Sequence, residues 1–185
     1  MNISKYYRPA VDLYPGNPLY LILLLLLSGG SSSIYAESGQ TDKITILPFE
    51  IVDHTPVPGG EARNDEMLEK LTQFITGRMK EEGIFKVVPH ASVQQVVDDA
   101  QLGTYIRNCN RCEYDLAKEM GSDKVMTGWI YKMSILVLTM HIEIKDVDSE
   151  RILIKKAYDF RGDNEKSWLR AANYMVRDLR QMMQM

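Results

Sequence analysis

Two cysteines, Cys109 and Cys112, have the residue type and spacing that could do chemistry most directly, and they are the only cysteines in the chain. The Cys-x-x-Cys spacing is that of a thiol–disulfide redox pair, and a helix beginning there would lower a thiol pKa. In an oxidising compartment the same pair forms a structural disulfide. A metal site would need further soft ligands, and His54 and His90 have no metal-ligand spacing. A structural disulfide is the favoured interpretation, with a redox pair and a metal site as alternatives.

A polar group formed by Glu50, Asp53 and His54 follows the first predicted strand. The end of a strand in an α/β sheet is a common position for a ligand. Two carboxylates and an imidazole could also do acid–base work. The same residue types are ordinary where a strand leaves a sheet for a loop, so the group is a candidate polar cluster and no more.

A second polar group precedes and enters the last predicted helix, and it contains Arg161, Asp163, Trp168 and Arg170. One interpretation is an edge that recognises a partner protein. Trp168 would then be the anchor, and Arg161 or Arg170 would pair with a partner carboxylate. The alternative is structural, with Asp163 as the N-cap of the helix and Trp168 packed beside the sheet.

The composition argues against several functions. A formal net charge of −3 gives no general attraction to nucleic acid. The sequence has no phosphate-binding glycine loop, zinc-protease motif or serine-hydrolase motif. Thioethers can bind copper, but Met79, Met120, Met140 and Met183 fall on apolar faces, which favours core packing. His141 alternates out of a strand and is expected to be solvated. No catalytic residue, metal or cofactor is predicted.

Residues 1–36 have the order of a secretory signal peptide. Lys5 and Arg8 make the start positive, residues 19–27 are an uninterrupted apolar run, and a cleavage site precedes Glu37. The run is too short to span a bilayer comfortably, although the long segment before it leaves a retained membrane anchor as the alternative. We therefore predict export to the periplasm, where oxidising conditions favour the disulfide.

A polar linker is predicted over residues 37–42 and a single domain over residues 43–185. The expected order of elements is β-α-β-α-α-β-β-β-α, which is typical of a layered α/β domain with a mixed sheet of about five strands and helices packed on it. Pro48 lies within the first strand, predicted over 43–52, and suggests an edge position or a bulge. The three closely spaced strands before the last helix are expected to be antiparallel neighbours.

Several separated motifs give the chain a resemblance to an uncharacterised family of secreted bacterial proteins. The matching segments are Leu47-Pro48-Phe49-Glu50, Cys109-Asn110-Arg111-Cys112-Glu113, Leu116-Ala117, Gly121-Ser122-Asp123, Gly128, Lys132-Met133-Ser134, Arg161-Gly162-Asp163, Ser167-Trp168 and Arg170. The resemblance implies a fold similar to the N-terminal domain of TolB and to periplasmic curli-secretion and penicillin-binding-protein-activator domains. It implies no established activity, and it suggests an association with periplasmic dehydrogenase systems. Those fold relatives are binding or assembly modules.

The function predicted from these observations is that of a non-catalytic periplasmic accessory or binding protein. Its partner would be a protein of the periplasm or envelope, such as a dehydrogenase system or an envelope complex. The alternatives are a thiol–disulfide protein that uses Cys109 and Cys112, and an envelope assembly module. No nucleic acid is expected as a partner, and membrane contact is expected only if the N-terminal segment is uncleaved.

Overall fold

The computed structural model of the protein describes residues 41–102 and 105–184. The predicted signal peptide and residues 37–40 of the predicted linker lie outside these ranges. The strands are β1 (Lys43–Ile46), β2 (Glu50–Asp53), β3 (Lys86–Val87), β4 (Lys124–Lys132), β5 (Leu138–Asp146) and β6 (Ile152–Phe160). The helices are α1 (Glu61–Glu82), α2 (His90–Asp99), α3 (Cys112–Glu119) and α4 (Glu165–Met183), with a short 3₁₀ helix at Ile106–Asn108.

All six strands form one mixed sheet, so the predicted layered α/β fold is confirmed. Its order is β3-β1-β4-β5-β6, and β2 pairs with the second half of β4. The pairs of β1 with β3 and of β1 and β2 with β4 are parallel. The β4–β5 and β5–β6 pairs are antiparallel, as the short connections predict. One edge of β6 is unpaired within the sheet.

The predicted first strand is interrupted at residues 47–49 and becomes β1 and β2, which is why the sheet has six strands instead of about five. Pro48 cannot donate a ladder hydrogen bond, and it lies in this break. On either side of it, Leu47 and Phe49 are buried in different hydrophobic clusters. A Cβ on Gly128 of β4 would overlap the Phe49 ring. The break therefore lets an aromatic ring pack directly on the backbone of the central strand.

The larger hydrophobic cluster lies between one face of the sheet and the long helices α1 and α4. Helix α1 contributes fully buried residues three or four positions apart, including Leu71, Ile75 and Met79. Helix α4 contributes Met175 and Leu179 in the same way. Met140, like Met79, is fully buried, whereas Met183 is half exposed, so the core assignment is wrong for that methionine.

A smaller cluster lies on the opposite face and joins α2, the 3₁₀ helix and α3 to the β1–β3 side of the sheet. Val93, Ile106 and Leu116 enter it from the three helical segments. Across the described ranges, no helix is long and apolar enough to cross a bilayer.

The N-cap of α4 is Asn164, and the prediction of Asp163 in that role is wrong. The Asn164 side-chain oxygen accepts a hydrogen bond from the Ser167 backbone N–H at 3.1 Å. Asp163 is one residue too early for this geometry, and its carboxylate is directed into the protein.

Candidate functional site

A buried group of charged residues, here called the ionic cluster, joins the ends of β2 and β4 to the starts of α1 and α4. Lys132 is only 1% exposed, and its Nζ lies 2.9 Å from a carboxylate oxygen of both Asp53 and Asp163. The Arg63 guanidinium contacts Asp163, and the Asn64 amide donates to Asp53 at 3.3 Å. The cluster therefore joins the β2–α1, β4–β5 and β6–α4 connections at one end of the sheet.

Charge pairing decides the protonation of this cluster. Burial alone would lower the pKa of Lys132, but the hydrogen bonds to Asp163 and Asp53 outweigh it and raise that pKa above the usual lysine value. Burial would raise the pKa of Asp53, but hydrogen bonds from Lys132, the Thr55 backbone and Asn64 hold it below its ordinary value. Both groups are therefore charged at neutral pH, and neither is poised for proton transfer.

Directly beyond Lys132, residues 133–137 form the connection between β4 and β5, here called the apolar tip. Met133, Ile135, Leu136 and Val137 are 57%, 62%, 65% and 45% exposed. The backbone N–H groups of Gly162 and Asp163 donate to the carbonyls of Leu136 and Ile135. The sequence did not reveal this connection, because the apolar residues from Leu136 onward are also compatible with the start of a strand. The signal that could have revealed it is the run of apolar residues without alternation.

Glu50, Asp53 and His54 do not form the single polar cluster considered from the sequence. Because side chains alternate along β2, Glu50 faces α2 and the 3₁₀ helix, whereas Asp53 belongs to the ionic cluster. The Glu50 carboxylate accepts hydrogen bonds from the backbone N–H of Ile106 and from the Arg107 guanidinium. Burial raises its pKa despite these contacts. Glu50 therefore holds the 3₁₀ helix against the sheet.

His54 lies instead beside an aromatic row on the sheet face opposite α1 and α4. Its ring is 4.8 Å from that of Tyr131. Trp129 and His141, directly opposite each other on β4 and β5, stack at 4.9 Å with an interplanar angle of 7°. Burial lowers the pKa of His141. The prediction that His141 is simply solvated is therefore wrong, because Trp129 covers one face of its ring.

Cys109 and Cys112 are joined in a disulfide, as predicted, with their Cα atoms 5.6 Å apart. The residues around the bridge also contact the β5–β6 turn and β5. Arg111 binds the Glu150 carboxylate with both terminal nitrogens. Glu113 accepts a hydrogen bond from Lys145 at 3.0 Å. The Cys-Asn-Arg-Cys-Glu motif therefore attaches the start of α3 to the sheet.

A groove of about 790 Å³, here called the edge groove, lies between the unpaired edge of β6 and α4. Its lining includes three exposed arginines, Arg161, Arg170 and Arg177. Its two acidic residues are already engaged, because Asp159 accepts from Thr139 at 2.7 Å and Asp178 accepts from the Tyr158 hydroxyl at 2.8 Å. No side chain in the described ranges forms an ion pair with the three arginines.

Only part of the predicted recognition edge lies at this groove. Arg161 and Arg170 line it, as does Arg177, which was not among the predicted site residues. Trp168 is 1% exposed and belongs to the larger hydrophobic cluster, so the interpretation of Trp168 as a surface anchor is corrected. Asp163 is likewise corrected to a member of the ionic cluster. Within residues 41–102 and 105–184, no group of three or more metal-binding side chains occurs.

Sequence comparison identifies one family. A family model named DUF3280, with the description "Protein of unknown function (DUF2380)", matches residues 42–179. None of the curated proteins matches the sequence significantly.

Several solved structures are similar to this chain at low sequence identity. Lipoprotein GNA1162 from Neisseria meningitidis is 15% identical with a TM-score of 0.50, over 76% of this chain and 96% of that chain. TolB from Acinetobacter baumannii is 19% identical with a TM-score of 0.46, over 78% of this chain and 28% of that chain. The LpoB C-terminal domain from Escherichia coli is 10% identical with a TM-score of 0.44, over 68% of this chain and 87% of that chain. At 15% identity, the likeness to GNA1162 concerns the fold alone.

Proposed function

Because this chain belongs to the DUF3280 family, for which no function is described, we propose a function from the geometry of its own residues. The protein is a non-catalytic accessory protein of the cell envelope that binds an extended, acidic segment of a partner protein in the edge groove. The observation that carries this proposal is the set of three exposed arginines beside the free edge of β6, which have no ion-pair partner among residues 41–102 and 105–184.

The free edge of β6 supplies the main-chain part of the recognition. An extended segment can add to an exposed sheet edge through backbone hydrogen bonds, while side-chain pockets give specificity. Arginine binds carboxylates through two parallel hydrogen bonds, which favours acidic side chains in the added segment. Pairing of β6 with β6 of a second copy is less favourable, because Lys156 lies at the middle of the strand and would face its own copy.

An envelope location is supported by the disulfide and by the predicted signal peptide. A bridge between the only two cysteines is typical of an oxidising compartment. From the family resemblance, we expect the partner to belong to a periplasmic dehydrogenase system or to another envelope complex. The disulfide itself is proposed to be structural, because Arg111 and Glu113 beside it are used in attaching α3 to the sheet.

Binding of short peptides to the full chain tests the proposed chemistry directly. The probes are fluorescent ten-residue peptides that alternate valine with glutamate, and a matched set that alternates valine with lysine. We expect the glutamate peptides to bind, and the triple variant with Arg161, Arg170 and Arg177 changed to glutamate to weaken binding at least tenfold. Equal binding of both peptide sets, or unchanged affinity in the variant, would contradict the proposal.

Site-specific crosslinking in cells identifies the natural partner. A photo-crosslinking residue in place of Tyr174, which lines the groove and is 55% exposed, should capture one partner protein. The matched control is the same residue in place of Tyr105, which is 50% exposed and lies outside the groove. The proposal requires a product at position 174 that the arginine variant abolishes and that position 105 does not give.

A further inference from the structure

Most of the side chains of the apolar tip are large, apolar and exposed to solvent. Four of its five residues have large apolar side chains that are 45% to 65% exposed, and the fifth is Ser134. We propose that this tip inserts into the interfacial region of a lipid bilayer. Contact with the membrane would then not depend on the N-terminal segment, which was the only route to the membrane expected from the sequence.

The backbone of the tip meets the main requirement for entering lipid, which is that polar groups find partners within the protein. The Ser134 hydroxyl accepts the N–H groups of Leu136 and Val137. The Val137 carbonyl accepts those of Met133 and Ser134. The carbonyls of Ile135 and Leu136 accept N–H groups from the turn before α4. Seven backbone groups of the tip, four N–H and three C=O, are therefore already bonded and do not need water.

The tip is also held in one conformation before it meets any surface. The Leu136 and Ile135 carbonyls accept hydrogen bonds from Gly162 and Asp163, and the Asp163 carboxylate is held by Lys132 in the ionic cluster. Lys132 is itself the residue that precedes the tip. Little conformational entropy would thus be lost when the exposed side chains enter lipid.

The side-chain chemistry fits lipid better than a protein partner. Binding hot spots on protein surfaces are enriched in tryptophan, tyrosine and arginine, and residues 133–137 contain none of these. The formal charges of Lys132, Arg63, Asp53 and Asp163 cancel. Arg161, exposed beside Gly162, is a cation next to the turn that supports the tip and favours anionic headgroups.

This inference is independent of the proposed peptide binding, although the two sites are adjacent. Peptide binding is measured without lipid and lipid insertion is measured without peptide, so either can fail alone. Arg161 lines the edge groove and also lies next to the turn that supports the tip. Insertion of the tip would therefore place one end of the groove beside the membrane surface.

A local probe tests insertion in the full chain, where the N-terminal segment could carry the protein to vesicles by itself. Leu136→Cys is labelled with an environment-sensitive fluorophore, while the native cysteines are held in the disulfide. The matched control is labelled Leu153→Cys, which is 50% exposed near the other end of the sheet. The vesicles contain phosphatidylethanolamine and phosphatidylglycerol, with or without brominated acyl chains.

We expect a blue shift and quenching by brominated lipid at position 136, and neither at position 153. Vesicles of phosphatidylcholine alone should give a smaller signal. The inference is overturned if position 136 stays in water on vesicle-bound protein, if both positions respond equally, or if the protein does not bind vesicles.

A second pair of variants separates insertion from an effect of the label. The probe is moved to Met133→Cys, and Ile135 and Leu136 are changed to serine, which should abolish the lipid-dependent shift. Serine at Ile152 and Leu153, which are 51% and 50% exposed and distant from the tip, should leave the shift intact. Retention of the shift in the tip variant would overturn the inference, provided that circular dichroism shows both variants folded.

Discussion

Lys132 binds two carboxylates at once, and all three groups have little access to water. Replacing it with methionine keeps the length of the side chain but leaves Asp53 and Asp163 without their shared cation. Breaking a buried pair in this way costs about 3–5 kcal/mol, because a buried charge loses its partner. We expect Lys132→Met to lower the free energy of unfolding by about that amount in urea denaturation.

The control for this prediction is Lys70→Gln, which removes exposed pairs with Glu66 and Glu165. Exposed pairs contribute little to stability, so this variant should unfold close to the parent protein. Adding Asp53→Asn and Asp163→Asn to Lys132→Met should recover part of the loss. Equal losses in Lys132→Met and Lys70→Gln would show that the cluster does not hold this end of the sheet.

Tyr158, which lines the edge groove, is predicted to make the free energy of unfolding decrease at alkaline pH. Burial and the hydrogen bond to Asp178 raise its pKa well above the ordinary tyrosine value. Above about pH 10 the unfolded tyrosine ionises, while the folded one stays protonated, so its contribution to stability is present below that pH and is lost as the pH rises. Tyr158→Phe should therefore give a shallower loss of stability between about pH 9.5 and 11.

Urea unfolding at each pH provides the measurement for Tyr158→Phe. At pH 8 the variant should lose about 1 kcal/mol, which is typical of one hydrogen bond. Tyr105→Phe, with a half-exposed ring, should follow the parent protein at every pH. If Tyr158→Phe keeps the full alkaline slope, the dependence arises from other groups.

The exposure and partners of individual side chains could be predicted from the sequence only where they did not depend on long-range contacts. Arg161 and Arg170 are exposed, as a recognition edge requires. A recognition edge would also require Asp163 and Trp168 to be accessible, but the structural alternative holds for Trp168, which is buried, and the partners of Asp163 lie far along the chain. The side chain of Asp163 contacts Arg63, which is one hundred residues away in the sequence. No local sequence pattern predicts such a contact.

At the level of elements, the disulfide closes a very short loop before α3. The chain-entropy estimate for a loop of this length gives about 2 kcal/mol of stabilisation. The double variant Cys109→Ser, Cys112→Ser should lose about that much in chemical denaturation and keep glutamate-peptide binding. Insulin-reductase activity in the parent protein that the variant lacks would instead support the thiol–disulfide alternative.

The break in the first strand depends on one glycine in β4. A methyl group at Gly128 would overlap the Phe49 ring, and forcing extra volume into a packed core costs about 1–3 kcal/mol. We expect Gly128→Ala to lower the melting temperature, and Phe49→Leu in the same chain to restore part of it. Gly77→Ala, where added volume meets open space on α1, is the control and should not destabilise the protein.

Element order and type could be predicted well, because the periodicity of apolar residues is local. The antiparallel β4, β5 and β6 and the amphipathic α4 follow from that signal alone. The division of the first strand could not be predicted in full. Pro48 indicates an irregularity in the strand. Whether that irregularity is a bulge, an edge position or a division into two strands depends on the packing of the Phe49 ring against Gly128.

For the whole molecule, processing of the N-terminus remains a prediction. We expect the protein recovered from the periplasm to begin at Glu37, because the sequence before it has the order of a signal peptide. Mass spectrometry of the intact protein measures this directly. A full-length mass in the membrane fraction would instead support the retained anchor.

The overall architecture could be predicted, whereas the functional surfaces could be located only in part, through Arg161 and Arg170. The edge groove needs β6 at the end of the sheet and α4 beside it, which is a property of topology. The apolar tip could be recognised only if residues 133–137, whose apolar residues do not alternate with polar ones, were known to form a connection and not part of a strand.

The ionic cluster has one more consequence, which concerns salt. Charges that water cannot reach are screened far less by dissolved ions than charges on the surface. Lys132 and Asp163 are 2% and 4% exposed at their side chains, so their attraction changes little with ionic strength. An exported protein, as proposed here, experiences the salt concentration of the surrounding medium. This end of the molecule would therefore stay folded over a wide range of ionic strength.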